Sequence, residues 1–132
     1  MEIFRTQRPE ILKYIAPHII EAPDYDRLTI LDNILSSMLE RSEDTCVVVA
    51  LDGDKLIAFS IAIIVRKHLW IDQTWIDSEQ TKEVGLGLLY ILKDFALEKD
   101  IHDMRFETSR NAEAWERSWG FEEFSSIMRM EL

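Results

Sequence analysis

The stretch KEVGLGLLYILKDF, residues 82–95, sets two glycines one residue apart between a basic side chain and an apolar helical pattern. Leu88, Leu92, Phe95 and Ala96 share one side of a helix that the spacing predicts from about Val84 to Lys99. The whole chain carries four glycines among 132 residues. In so glycine-poor a sequence each one marks a backbone need, either a positive φ or a close approach. Gly85 and Gly87 therefore form either a tight strand-to-helix turn or a loop whose N–H groups converge on an anion. A P-loop is excluded because no Gly-Lys-Ser/Thr follows, and a dinucleotide fingerprint lacks its third glycine.

The elements on either side decide what that helix follows and precedes. MEIFRT opens the chain as a short strand, and Pro9 suits a first helical turn that Pro17 then disturbs. DYDRLTILDNILSSMLERSED is a clearer helix, with Leu28, Leu31, Leu35, Met38 and Leu39 as its apolar face and Asp24 or Asp26 as its cap. CVVVAL and KLIAFSIAIIV, parted by DGD, read as an antiparallel hairpin. HLWIDQTWID is the fourth strand, and strict alternation puts Trp70, Asp72, Thr74 and Ile76 on one face and Leu69, Ile71, Gln73 and Trp75 on the other. After the glycine helix come a strand, MRFETS, and a short helix, NAEAWERSW, capped by Asn111 and stopped by Gly120. FEEFSSIMRMEL closes as one strand. The order β-α-α-β-β-β-α-β-α-β describes a single α/β domain over residues 1–132, a mixed and mostly antiparallel sheet flanked by about four helices.

Composition narrows the functions available. The formal charge of −10 argues against nucleic acid, whose binding rests on basic side chains neutralising phosphates. The longest apolar run, Leu56–Val65, is too short to span a bilayer, and no basic leader followed by an apolar stretch opens the sequence. One cysteine, Cys46, sits among valines and reads as a small buried hydrophobe; a cytoplasmic protein is expected. His18, His68 and His102 lack metal-ligand spacing, so no metal is expected.

With Lys82, Gly85 and Gly87 at Gln/Arg-x-x-Gly-x-Gly/Ala, and Asn111, Ala114, Gly120 and Phe121 in NAEAWERSWGF, the chain resembles the GNAT superfamily of N-acetyltransferases. The element order agrees over nearly the whole chain. The resemblance implies that acetyl-CoA inserts between a splayed fourth and fifth strand. Strand backbone near Ile76 would pair with the pantetheine arm, and the N–H groups of Val84, Gly85, Leu86, Gly87 and Leu88, with Lys82, would hold the pyrophosphate. Asn111 would lie beside the arm and its thiol. A primary amine, on a small molecule or a protein, would be the acceptor.

Several positions depart from the family pattern. Glu83 places a carboxylate close to the pyrophosphate site, and Glu116 stands where many relatives carry the tyrosine that protonates the leaving thiolate. Asp72 is the candidate general base, directly or through water, with Asp77 and Glu79 as alternates; a carboxylate in a buried strand needs a reason. The two glutamates also motivate a second reading, a GNAT-fold module that binds CoA or a protein without chemistry. A single strand after Gly120-Phe121, where many relatives have two, suggests an open acceptor side or completion by a partner such as a second copy in a homodimer.

Overall fold

The structure, a computed structural model, describes residues 1–21, 24–107, 122–124 and 127–132. The strands are β1 (Glu2–Thr6), β2 (Thr45–Asp52), β3 (Lys55–Val65), β4 (His68–Ile76), β5 (Asp103–Glu107), β6 (Glu122–Phe124) and β7 (Ile127–Glu131). The helices are α1 (Leu12–Ile15), flanked by 3-10 turns at Pro9–Ile11 and Ala16–His18, α2 (Arg27–Glu40) and α3 (Lys82–Glu98). Pro9 opens one 3-10 turn and Pro17 is the second residue of the other, so the first helical segment is broken where the prolines predict.

All seven strands form one sheet in the order β1-β2-β3-β4-β5-β7-β6. Every pairing is antiparallel except β4 with β5, which are parallel and joined by the α3 crossover. The mixed sheet agrees with the fold class read from the sequence. The single closing strand does not: Glu122–Phe124 and Ile127–Glu131 are two antiparallel strands, with Phe124 opposite Ile127. A three-residue strand gives no measurable alternation, and Ser125-Ser126 is the only punctuation between the two. The inference of a missing strand falls with that correction. The helix expected over 111–119 lies outside the described residues.

Each face of the sheet has its own core. Cys46, Val48 and Ala50 of β2 pack with Val84, Leu88, Leu92, Phe95 and Ala96 of α3. Val47 and Val49 face the other way, onto Leu12 and Ile15 of α1 and Ile30, Ile34 and Met38 of α2. Burial on both faces explains why β2 and β3 read as nearly continuous apolar runs. In α2 the buried stripe is Ile30, Ile34 and Met38, while Leu28 and Leu39 are exposed and Leu31 and Leu35 only flank the core. The leucine-based face read from the sequence is thus rotated by about one residue; leucines outnumber isoleucines there and draw the eye away from the true stripe.

Local chemistry ends α2 cleanly. Asp26 accepts the Thr29 N–H at 2.8 Å as N-cap. At the far end the buried Thr45 hydroxyl bonds the carbonyls of Ser37 and Arg41, at 3.1 and 2.9 Å. Gly53 turns the β2–β3 hairpin at φ +63°, a conformation that favours glycine.

Candidate functional site

The site takes its form from an irregularity in β4. Along the β3–β4 ladder Ile61 faces Gln73 and Ala62 faces Ile71, so Asp72 faces no residue and forms a β-bulge. One extra residue reverses the alternation. Leu69 and Ile71 before the bulge, and Ile76 after it, all pack into the α3-side core, while Trp75 packs into the other core. The strict two-face assignment read from the sequence therefore fails at Asp72, because a one-residue slip moves every later side chain to the opposite face.

The parallel ladder between β4 and β5 is short. Leu69 pairs with Met104 and Trp70 with Arg105, and the ladder ends there. Among the described residues β4 has no ladder partner on that side from Ile71 onward. The phase of the β3 ladder says which groups this leaves free. The Asp77 N–H bonds Ile57 O at 2.9 Å across directly opposed residues. Hydrogen-bonded pairs alternate with non-bonded ones, so Thr74 and Ile76 turn their N–H and C=O away from β3, toward the β5 side. Beneath them the Thr74 and buried Ser60 hydroxyls are hydrogen-bonded at 2.8 Å.

Residues 77–81 join the end of β4 to the start of α3. A turn bridges them, in which Asp77 Oδ1 accepts the Glu79 N–H at 3.3 Å and Asp77 O accepts the Gln80 N–H at 2.9 Å. Asp77 also lies 3.8 Å from Lys55 Nζ, so its carboxylate serves the turn and an ion pair. Thr81 is the N-cap of α3, yet its side chain caps no backbone N–H. Its hydroxyl instead donates to Glu83 Oε2 at 2.8 Å. The Val84 N–H bonds Thr81 O at 3.2 Å, and among the described residues the Lys82 and Glu83 N–H groups have no backbone acceptor. These are the unpaired donors that every helix start presents, at the positive end of its dipole.

Helix α3 begins at Lys82 and not at Val84. Leu86, Gly87 and Leu88 consequently lie inside it, where backbone N–H groups bond carbonyls four residues back. The N–H groups left without a backbone acceptor at the helix start are thus those of Lys82 and Glu83. The missing Cβ at Gly87 also has a different explanation. A methyl built there would collide with Ile3 Cδ1 of β1, so the glycine lets helix and strand approach closely. Gly85 is buried in the first turn.

Asp72 is exposed, and the protein mass around it nevertheless desolvates the carboxylate and raises its pKa above the ordinary value. Exposure limits that effect, since water still reaches the group. Gln73 and Trp75, which the sequence reading placed on one face with Leu69 and Ile71, instead share the opposite face and hold the chain after α1. Asn111 and Glu116 lie outside the described residues. Cys46 is fully buried, and burial pushes its thiol up to about 12. Among the described residues no group of three or more His, Cys, Asp or Glu is placed to hold a metal, and no helix is long and apolar enough to cross a membrane.

Solved structures of other proteins match the fold over essentially the full chain. The PaiA N-acetyltransferase of Thermoplasma acidophilum, in complex with coenzyme A, is 18% identical, with 100% of both chains covered and a TM-score of 0.72. The chain has the GNAT fold. A GNAT-family putative acetyltransferase from Desulfovibrio desulfuricans matches 98% of each chain at 13% identity and a TM-score of 0.76. The ribosomal-protein-S18-alanine N-acetyltransferase of Escherichia coli matches at 19% identity, covering 98% of this chain and 92% of its own, with a TM-score of 0.72. No family sequence model matches the chain, and no curated protein matches it by sequence. The GNAT fold is thus carried here by backbone geometry at identities where side-chain correspondence has largely been lost.

Proposed function

We propose that this protein is an acetyl-CoA-dependent N-acetyltransferase that moves an acetyl group to a primary amine. The observation that carries the proposal is that among the described residues the β4–β5 ladder stops at Trp70, while the phase of the β3 ladder turns the Thr74 and Ile76 backbone toward that side. An extended arm with two amides is the ligand that such an edge pairs with, strand-fashion. The unpaired N–H groups of Lys82 and Glu83 suit the pyrophosphate, assisted by the Lys82 ammonium, with Val84 and Gly85 completing the turn behind them. The coenzyme A in the Thermoplasma acidophilum neighbour supports the same ligand class here.

The chemistry asked of the protein is modest. The neutral amine attacks the thioester carbon, the C–S bond breaks, and the amine proton passes to Asp72 directly or through one water. Fixing the two reactants in line supplies much of the rate, as does polarising the carbonyl with a strand N–H. Asp72 stands at the bulge, beside the free edge, and its raised pKa makes it a better base than an ordinary aspartate. Glu116 is the proposed donor to the departing thiolate and Asn111 the proposed neighbour of the thiol.

Thermal stability measured with acetyl-CoA and with free CoA tests the cofactor. Ligand at about 100 times its Kd adds about 2.7 kcal/mol, an easily read rise in Tm. Thiol release across a panel of primary amines tests the reaction. No stabilisation by either ligand would overturn the proposal, and binding without any turnover would leave only the module reading.

A further inference from the structure

Strand β1 lies at one end of the sheet, and among the described residues it pairs with β2 alone. The phase of the ladders says which of its backbone groups are left over. The Ile64 N–H bonds Asp44 O at 2.8 Å, one position beyond the Thr45–Ile63 pair. Bonded and non-bonded pairs alternate from there, so Cys46, Val48 and Ala50 bond β3, while Val47, Val49 and Leu51 bond β1. Their partners in β1 are Thr6, Phe4 and Glu2. Ile3 and Arg5 therefore turn their N–H and C=O groups to the open edge. Beside that edge runs a groove of about 930 Å³, with Phe4, Thr6, Arg8, Ile11 and Tyr14 in its lining. Glu2 and Arg8, at the two ends of the strand, have no ion pair among the described residues.

We propose that this edge is a self-association surface, where β1 of a second copy pairs antiparallel and joins the two sheets into one. The twofold axis of such a pair stands perpendicular to the sheet and keeps every residue on its own face. Outward groups then meet outward groups in three registers, centred on Ile3, Phe4 or Arg5. Centring on Ile3 sets Arg5 against Met1, outside the strand, and centring on Arg5 sets two guanidinium groups opposite each other. Centring on Phe4 sets Ile3 of each copy against Arg5 of the other, and both residues bond fully. The two Phe4 rings then face each other in a non-bonded pair, where cross-strand side chains come closest, with the groove beside them. Charge agrees with that register. Glu2 of each copy lies opposite Thr6 of the other, diagonal to Arg8, and symmetry makes the acid–base approach twice. The Arg8 N–H donates to Thr6 Oγ1 at 3.2 Å, which keeps Arg8 at that end of the strand. A second copy thus carries the complement of this edge in its own sequence. The surface lies across the sheet from the β4–β5 junction, and the inference does not rest on the acetyl-transfer reading.

Sedimentation velocity of the full chain at physiological ionic strength, over a wide range of concentration, should show monomer and dimer in equilibrium. Amide exchange at Ile3 and Arg5 should slow as the dimer fills, while exchange at Phe4, already bonded to β2, should not respond. Arg5→Pro removes an outward N–H and leaves the bonds to β2 in place, as proline on an edge strand allows. It should weaken the dimer about tenfold or more, and Arg5→Ala, which keeps the N–H, should not. Glu2→Arg and Arg8→Glu should each weaken it about threefold to tenfold. Mixing those two variants should restore it, because every acid then meets a base. The charge variants keep the test open if Arg5→Pro fails to fold. A monomer at every concentration, or exchange at Ile3 and Arg5 that ignores concentration, would overturn the proposal. A dimer indifferent to a folded Arg5→Pro would place the contact elsewhere, and variants that stay weak when mixed would refute the antiparallel register.

Discussion

Gly87 stood in the sequence as half of a phosphate loop, and the structure gives it a packing role that a double-mutant cycle can measure. In Gly87→Ala the new methyl points at Ile3 Cδ1. Overpacking of this kind costs about 1–3 kcal/mol. Replacing a helical glycine by alanine returns about 1 kcal/mol, so the single variant should lie between neutral and about 2 kcal/mol less stable. Ile3→Val deletes the atom in conflict. Ile3 is half-buried, so that change alone should cost no more than about 0.5–1 kcal/mol. In the Ile3→Val background the alanine methyl has room, and Gly87→Ala should then stabilise by up to about 1 kcal/mol. The coupling between the two sites is therefore about 1–3 kcal/mol, well above the roughly 0.5 kcal/mol within which independent sites add. Urea unfolding of the four proteins measures it, with the Kd of CoA recorded alongside. Additive free energies would refute the packing argument. Lost CoA affinity in Gly87→Ala with stability unchanged would return the glycine to the ligand.

The remaining predictions concern charge. Asp72→Asn should lower kcat roughly 10²–10⁴-fold and abolish the rise of kcat with pH that ionisation of Asp72 produces; an unchanged profile would remove Asp72 from the mechanism. Because the folded-state pKa of Asp72 is raised, its contribution to stability is present below the unfolded pKa and lost as pH rises through the folded one. The Asn variant should therefore gain on the wild type at neutral pH and not at acid pH in thermal unfolding. Glu83→Gln removes a negative charge from the helix start where the pyrophosphate is proposed to bind, and should tighten CoA about 2–5-fold in calorimetry; weaker binding would mean that the carboxylate holds the loop in its binding form. Cys46, fully buried with a thiol pushed up to about 12, should resist a disulfide reagent at pH 8 and react at once in urea; fast labelling of the native protein would contradict its burial.

Most of the architecture was legible because it rests on local rules. Alternation and β-branched runs mark β2, β3 and β4, the DGD turn marks the β2–β3 hairpin, and i, i+4 apolar spacing marks α3. The prolines place the broken first helix, and Asp26 before an apolar run places the start of α2. Where a single residue carries the signal, local pattern yields to longer-range packing. The bulge at Asp72 depends on how β4 pairs with β3, and nothing in WIDQTW shows which of its residues is the extra one. The same holds for the start of α3, set by which N–H groups find carbonyls four residues back, and for Gly87, whose partner Ile3 lies near the opposite end of the chain.

What the sequence determined by itself is a chain of elements in a certain order, with a glycine pair at the one strand-to-helix junction that matters. Tertiary structure alone decided the geometry of that junction. The parallel pairing of Leu69 and Trp70 with Met104 and Arg105, the turn of Thr74 and Ile76 away from β3, and the seating of Ile20 on Gln73 are relations between residues distant in sequence. They follow from ladder phase and register, quantities that exist only once two strands have met.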